Sequence, residues 1–182
     1  MITTAAGTGN YGYSGDGGPA TSAQIGAFAV AVDSADNLYV SGLSVIRKVS
    51  PAGLITTVAG CGLPSNRPCR PSEVGDGGPA TDALIASTGM AIDSAGNLYL
   101  ADSGSERVRK ISPDGTITTV AGTGGYGYSG DGGPALSAQF GDPFALAIGR
   151  AGDLFVADRS YGAVRRLQPV GLSSPSGNGA NQ

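Results

Sequence analysis

Three aspartates recur at matched positions and are the first candidates for chemistry in this sequence. Asp16, Asp76 and Asp131 each stand in the segment Gly-Asp-Gly-Gly-Pro-Ala. Carboxylate oxygen is the ligand type that calcium prefers, whereas an aspartate in so tight a turn also bonds to its own backbone. Because each segment has one carboxylate and no dense array of Asp and Asn, we favour the turn-capping role. We expect no cofactor, with calcium as the alternative.

Tyrosines recur beside two of these aspartates, each time as Tyr-Gly-Tyr-Ser. Exposed aromatic rings on glycine-rich loops stack on sugars or anchor protein partners. The alternative, which we favour, is that the rings hold each loop onto its own sheet. Together these positions define a candidate binding rim for a protein or carbohydrate ligand: Tyr11, Tyr13, Asp16, Asp76, Tyr126, Tyr128 and Asp131.

A basic pair also recurs once in each part of the sequence. An arginine is followed each time by a second basic residue, in the pairs Arg47-Lys48, Arg109-Lys110 and Arg165-Arg166. Long basic side chains at a strand edge normally keep the charge in water and pack only the stem. We therefore expect solvated or stem-packed arginines rather than a binding site.

The two cysteines, Cys61 and Cys69, stand eight residues apart in an insert rich in proline. A metal site would need further ligands, and the chain has no histidine and no third cysteine. We predict a disulfide between Cys61 and Cys69, which favours an oxidising compartment and a secreted or extracytoplasmic protein.

Composition excludes several classes of function. The absence of histidine removes the commonest general base and metal ligand, so that no catalytic residues and no enzyme activity are predicted. A net charge of −3 argues against nucleic-acid binding. No apolar run reaches the roughly 18–20 residues of a membrane span, and the N-terminus does not have the pattern of a signal peptide.

Internal repeats organise the chain. The segment Ile-Thr-Thr begins at residues 2, 55 and 117, which gives units of about 2–54, 55–116 and 117–170. Repeats of this length indicate a modular architecture. Residues 1–170 are therefore assigned to one repeat domain. Residues 171–182, which are rich in glycine, serine and asparagine, are expected to be a disordered tail or linker.

Each unit has the pattern of four short strands. Ile-Thr-Thr is followed by a glycine-rich loop, a proline that opens one helical turn, and three β-prone runs. Asp93-Ser94-Ala95-Gly96 is typical of a tight hairpin between two such runs. Four meandering antiparallel strands per unit predict an all-β fold built from β-propeller blades.

The segment from Ala91 to Ile111, Ala-Ile-Asp-Ser-Ala-Gly-Asn-Leu-Tyr-Leu-Ala-Asp-Ser-Gly-Ser-Glu-Arg-Val-Arg-Lys-Ile, resembles an NHL repeat. The resemblance extends over residues 1–170 and is strongest to bacterial NHL-repeat proteins with long loops. It implies a propeller, usually six-bladed, that serves mainly as a non-catalytic binding scaffold. The alternative is a propeller enzyme with metal-assisted lyase or hydrolase chemistry in the central channel. RNA binding, known for some NHL domains, does not suit an acidic chain.

Three blades do not close a ring, since propellers typically have about four to eight. Two expectations follow. Two chains form a homodimer with six blades, in which each N-terminal strand completes a terminal blade. Alternatively, and this is the expectation that we favour, the sequence is a fragment of a longer propeller.

Overall fold

The computed structural model describes residues 1–61 and 74–168, and in these ranges the protein has eleven strands and three short 3₁₀ turns. The strands are β1 (Ala29–Val32), β2 (Leu38–Gly42), β3 (Val45–Val49), β4 (Ile55–Ala59), β5 (Ser87–Ile92), β6 (Leu98–Asp102), β7 (Arg107–Ile111), β8 (Ile117–Ala121), β9 (Pro143–Ile148), β10 (Leu154–Asp158) and β11 (Ala163–Leu167).

The strands form three antiparallel sheets in which sequence neighbours are also spatial neighbours. The first sheet has the order β1-β2-β3-β4, the second β5-β6-β7-β8 and the third β9-β10-β11. We call them the first, second and third blade. The all-β fold predicted from the sequence is confirmed. The predicted tail, residues 171–182, lies outside the described residues.

Local turn chemistry explains the hairpins that open the first two blades. Asp93 Oδ1 accepts hydrogen bonds from the backbone N–H groups of Ala95 at 3.0 Å and Asn97 at 2.8 Å. Gly96 takes the left-handed conformation that the turn requires, with φ 81°. Tyr99 then donates its hydroxyl to Asp93 Oδ2 at 3.1 Å. The same contacts recur around Asp33 in the first blade.

The core has one apolar layer between each pair of neighbouring blades and a third apolar cluster within the first blade. Ile46 of the first blade and Leu100 of the second are fully buried in one layer. Val108 of the second blade and Val156 of the third are fully buried in the other. The second blade thus packs against a blade on each side, whereas Val49 and Ile55 of the first blade are covered by Ala20 and Ala23 of that blade's own loop.

A 3₁₀ turn follows a proline in each unit, as predicted, at Ala20–Ser22, Ala80–Asp82 and Ala135–Ser137. The loop before the turn is joined to the fourth strand of its own blade. Gly17 donates its N–H to the carbonyl of Ile55 at 2.8 Å, and the N–H of Ile55 donates to the carbonyl of Gly18 at 3.0 Å.

The predicted strand at residues 2–6 is wrong for the structure of the single chain. Ile2 is 97% exposed, and no strand is assigned before β1. The matching segments β4 and β8 are strands because they pair with β3 and β7, which precede them in the chain. Residues 2–6 have the same sequence pattern but no preceding strand with which to pair.

The contact between the inner strands of the second and third blades depends on glycine at position 89. A β-carbon at Gly89 would lie 2.5 Å from the carbonyl oxygen of Phe144 and 2.7 Å from Ala145 Cα. We expect Gly89→Ala to lower the free energy of unfolding by about 1–3 kcal/mol because backbone must move to admit the methyl group. Urea denaturation followed by circular dichroism measures this. Gly125→Ala is the control, since its β-carbon would meet only side-chain atoms, Gln139 Nε2 at 3.2 Å and Thr123 Oγ1 at 3.5 Å; equal losses would contradict the prediction.

The Asp93 hairpin predicts a specific dependence of stability on pH. Burial raises the pKa of Asp93, but hydrogen bonds from Asn97, Tyr99 and Ala95 outweigh it and leave the pKa below its ordinary value. The stabilisation is therefore complete above the pKa of the unfolded chain, about 3.9, and is lost as the pH falls through the lower pKa of the folded state.

Asp93→Asn should accordingly reduce the free energy of unfolding by about 1 kcal/mol near neutral pH, and the difference from the wild type should shrink below about pH 4. Denaturation curves between pH 7 and pH 3 measure both effects. Asp36→Asn makes the same change of charge at an exposed turn residue and should change little. A difference that is constant with pH would contradict the assignment.

Candidate binding rim

A buried arginine holds each rim loop onto its blade. Arg109, on β7, has a fully buried side chain. Its Nη2 donates to Asp76 Oδ1 at 2.8 Å and to the carbonyl oxygen of Val74 at 2.6 Å. Its Nη1 lies 3.5 Å from Oδ2 of the buried Asp102. One guanidinium thus joins the loop to the second and third strands of its blade.

The other two blades repeat this arrangement. Arg47 Nη2 donates to Asp16 Oδ1 at 2.7 Å and to the carbonyl oxygen of Ser14 at 3.0 Å. Arg165 Nη2 donates to Asp131 Oδ1 at 2.6 Å and to the carbonyl oxygen of Ser129 at 2.8 Å. In each blade, therefore, the aspartate of Gly-Asp-Gly-Gly forms an ion pair with the arginine on the third strand.

The expectation of solvated or stem-packed arginines is wrong for these three residues, which are 3%, 0% and 8% exposed at Arg47, Arg109 and Arg165. Side chains alternate between the faces of a strand, so that the first basic residue of each pair points to the loop and the second to the other face. The signal was in the sequence. Each arginine follows the aspartate of its own unit by a similar distance, 31, 33 or 34 residues.

The three rim aspartates are therefore occupied as partners of arginine. The turn-capping interpretation also needs correction, because the turn is closed by backbone groups, with Gly18 N–H donating to the carbonyl of Gly15 at 3.1 Å. Burial raises the pKa of Asp16, but hydrogen bonds from Thr57, Tyr13 and Arg47 bring it below its ordinary value. Within residues 1–61 and 74–168, no three His, Cys, Asp or Glu residues are grouped as metal ligands.

The two tyrosines of the first loop have different surroundings. Tyr13 donates its hydroxyl to Asp16 Oδ2 at 2.9 Å, lies 2.7 Å from Thr57 Oγ1, and has the Arg47 guanidinium 4.8 Å from its ring centre. It holds the loop onto its own blade, as we favoured. Tyr11 is exposed, and its ring edge lies against Gly26, where a β-carbon would be 2.9 Å from Tyr11 Cε2.

The two tyrosines of the third loop meet a third tyrosine that the sequence analysis did not select. The ring centre of Tyr161 lies 5.9 Å from that of Tyr126 and 5.2 Å from that of Tyr128. The residues are 64% exposed at Tyr126, 47% at Tyr128 and 41% at Tyr161. We call these three residues the tyrosine cluster. The tyrosine cluster exposes neighbouring aromatic rings to solvent. The matching loop of the second blade has no tyrosine with which to form such a cluster.

Rigid contacts beneath the tyrosine cluster fix its geometry. Gly127 N–H donates to the carbonyl of Phe140 at 3.2 Å, and Ser129 Oγ donates to Gln139 Oε1 at 2.9 Å. The Arg165 guanidinium lies 5.1 Å from the Tyr128 ring centre. Burial, together with Tyr126, raises the pKa of Tyr161, so that its hydroxyl stays protonated at neutral pH. The loop therefore presents its aromatic rings on a fixed support.

Cys61 is buried at the end of β4 and is not a free thiol. Cys69 lies outside the described residues, so the predicted pairing of Cys61 with Cys69 stays a prediction.

Comparison with known proteins gives similarity over part of the chain. No family model matches. The chain is 35% identical over 93 residues to protein SUPPRESSOR OF QUENCHING 1, chloroplastic, of Arabidopsis thaliana, a match that spans 50% of this chain and 9% of that protein.

Solved structures agree over more of the chain. A protein of unknown function from Bacteroides thetaiotaomicron superposes with a TM-score of 0.59 and 28% identity, over 72% of this chain and 32% of the other. An auxiliary nutrient binding protein from the same organism superposes with a TM-score of 0.55 and 18% identity, over 75% of this chain and 36% of the other.

These comparisons and the three blades define the class of fold. The chain is part of a β-propeller. It spans about a third of each of the two structural neighbours. Among the described residues there is no helix of the length and apolar character that crossing a membrane requires.

The buried arginine network predicts unequal roles for its two acidic partners in the second blade. Asp102 is buried and also accepts from Ala86 N–H at 2.9 Å and Ser105 Oγ at 2.8 Å, whereas the side chain of Asp76 is 41% exposed. We expect Asp102→Ala to cost about 3–5 kcal/mol because it leaves the charge of Arg109 buried with too few partners. Asp76→Ala should cost about 1 kcal/mol or less. Chemical denaturation compares the two variants, and equal losses would refute this division of roles.

Proposed function

We propose that this chain is part of a non-catalytic propeller scaffold of the NHL-repeat type, and that it binds a ligand at its loop rim. The tyrosine cluster of the third blade is the contact surface. The observation that carries the proposal is the meeting of Tyr126, Tyr128 and Tyr161 with large exposed fractions on a loop whose backbone is fixed. Binding residues are commonly found on loops that a rigid scaffold positions.

The chemistry of the cluster favours a carbohydrate. A sugar ring has an apolar face that packs on an aromatic ring, while its hydroxyl groups need hydrogen-bonding partners, and tyrosine offers both an aromatic face and a hydroxyl. The polar side chains of Ser129 and Gln139 lie in the same loop. A protein partner is the second candidate, because exposed tyrosines are also frequent anchors of protein interfaces.

Two features support a non-catalytic role outside the cytoplasm. The chain has no histidine, which a metal-assisted lyase or hydrolase would be expected to use. Cys61 is buried and not free, as expected in an oxidising compartment. We therefore propose an extracytoplasmic binding protein, in which this chain forms part of a larger propeller.

A glycan array followed by isothermal titration calorimetry tests the proposal. For a glycan retained by the wild-type chain, Tyr128→Ala should weaken binding about tenfold, equal to about 1.4 kcal/mol, because one stacking surface is removed. Tyr126→Ala should have a similar effect. Tyr11→Ala is the matched control, since Tyr11 is 66% exposed, close to the 64% of Tyr126, but lies in the first loop with no ring pair among the described residues.

Two results would count against this function. If Tyr11→Ala and Tyr128→Ala weaken glycan binding equally, the tyrosine cluster is not the site. If no glycan is retained and a protein partner is captured whose affinity depends on Tyr128, the rim is a protein interface and the carbohydrate assignment is wrong.

A further inference from the structure

The third blade has an open outer edge where the other two blades have a fourth strand. In the second blade, β8 covers β7, with Ile117 opposite Ile111, Thr118 opposite Lys110 and Thr119 opposite Arg109. In the first blade, β4 covers β3 in the same register. In the third blade no described residue pairs with the outer edge of β11.

The loop beside β11 also lacks the partners that its counterparts have. In the second blade Gly77 N–H donates to the carbonyl of Ile117 at 2.8 Å, and Ile117 N–H donates to the carbonyl of Gly78 at 3.0 Å. Ala80 N–H donates to the carbonyl of Gly115 at 2.8 Å. The matching groups of the third blade, on Gly132, Gly133 and Ala135, make no such bond to any residue in 1–61 or 74–168.

A cavity of about 520 Å³ lies at this place. Its lining combines the loop and the edge strand, and includes Gly132, Gly133, Ala135, Arg165 and Leu167. The open edge, the unpaired backbone groups and the cavity coincide. Together they form a groove at the position that Ile55 and Ile117 fill in the other two blades, where both side chains are fully buried. We call it the β11 groove.

One segment of this chain matches the strands that fill the groove elsewhere. Residues 2–6, Ile-Thr-Thr-Ala-Ala, differ from β4 and β8 at one position, where these have valine. Residues 2–5 are exposed in the single chain and Ala6 is half-buried. The glycine that follows the segment also makes the same backbone hydrogen bond as its counterparts after β4 and β8. Gly7 N–H donates to the carbonyl of Ala20 at 2.9 Å, as Gly60 does to Ala80 after β4 and Gly122 does to Ala135 after β8.

We propose that the β11 groove binds residues 2–6 of a second copy of this chain. The register follows from β7 and β8, so that Ile2 lies opposite Leu167, Thr3 opposite Arg166 and Thr4 opposite Arg165. Added strands of this kind bind through main-chain hydrogen bonds, with side-chain pockets giving specificity. The proposal does not depend on which ligand the tyrosine cluster binds.

The faces of the two terminal blades support a second copy as the occupant. Val164 on β11 is 72% exposed, whereas the matching Ile46 and Val108 are fully buried against the next blade. Val30 on β1 is 61% exposed, whereas the matching Met90 is 8% exposed because the first blade covers it. Among the described residues, therefore, no blade covers the free face of the third blade or that of the first. Two copies related by a two-fold axis would cover both faces and form six blades.

The sequence that follows β11 in the same chain matches the Ile-Thr-Thr pattern of β4 and β8 poorly. Where β4 has Ile55, Thr56 and Thr57, the matching positions are Ser173, Ser174 and Pro175. The small, polar side chain of serine does not fill the pocket of the buried isoleucine, and proline donates no hydrogen bond within a sheet.

Light scattering after size exclusion tests the assembly with the full chain. The wild-type protein should have twice the mass of the 17.8 kDa chain. Ile2→Asp should shift the population to the single chain, because it places a charge in the apolar pocket. Thr3→Asp adds the same charge one residue away, opposite Arg166 in the proposed register, and should leave the dimer intact. Ile2 is exposed in the single chain, so that loss of the dimer cannot be attributed to unfolding of the blades.

A cysteine pair tests the register. Under oxidation, Ile2→Cys combined with Leu167→Cys should give a covalent dimer, since residues directly opposite in a sheet are within disulfide range. Thr3→Cys combined with Leu167→Cys places the two thiols on opposite faces of the sheet and should not give a covalent dimer.

A wild-type chain with the mass of one copy would overturn the proposal, and so would a dimer that Ile2→Asp leaves unchanged. A covalent dimer formed equally by both cysteine pairs would overturn the register.

Discussion

The buried arginine that joins the third strand of each blade to the preceding loop is the feature on which the rest of the structure depends. The loops have little apolar surface of their own, and their many glycines favour disorder. Arg47, Arg109 and Arg165 bind the loop carbonyls and the aspartate together. A buried charge needs hydrogen-bonding partners, and the loop carbonyls supply them in one position of the loop on the blade. The fixed rim, with its exposed tyrosines, is a consequence of that requirement.

The same geometry links the rim to the edges of the blades. The aspartate of the Gly-Asp-Gly-Gly turn binds arginine, and the two glycines that follow it bond to the fourth strand. In the second blade, Gly77 N–H donates to the carbonyl of Ile117, and Ile117 N–H donates to the carbonyl of Gly78. Arginine, turn and fourth strand therefore form one continuous structure in the first two blades. In the third blade the arginine and the turn are present and no described residue occupies the strand site, so that one arrangement underlies both the proposed binding rim and the proposed assembly surface.

Local chemistry made most of the fold predictable from the sequence. The hairpin at Asp93, the proline before each 3₁₀ turn and the Ile-Thr-Thr strands act over a few residues, and the repeats show them three times. Burial of the arginines was not predicted, because it depends on a contact 31–34 residues away and on which face of the strand meets the loop. Tyr161 occurs once, in a turn of another hairpin, and has no sequence periodicity to mark it. The strand at residues 2–6 was predicted wrongly because no strand precedes it in the described chain with which it could pair.

The offset between sequence repeat and blade has a consequence for how such proteins change in length. Each unit of sequence begins with the strand that completes the blade before it and ends with an edge that needs the next unit. A duplicated or deleted unit therefore leaves every remaining junction of the same kind, with an Ile-Thr-Thr strand entering the groove of the blade before it. The number of blades in a chain can change in single steps, and the closure of a ring then depends on how many units meet rather than on which polypeptide carries them.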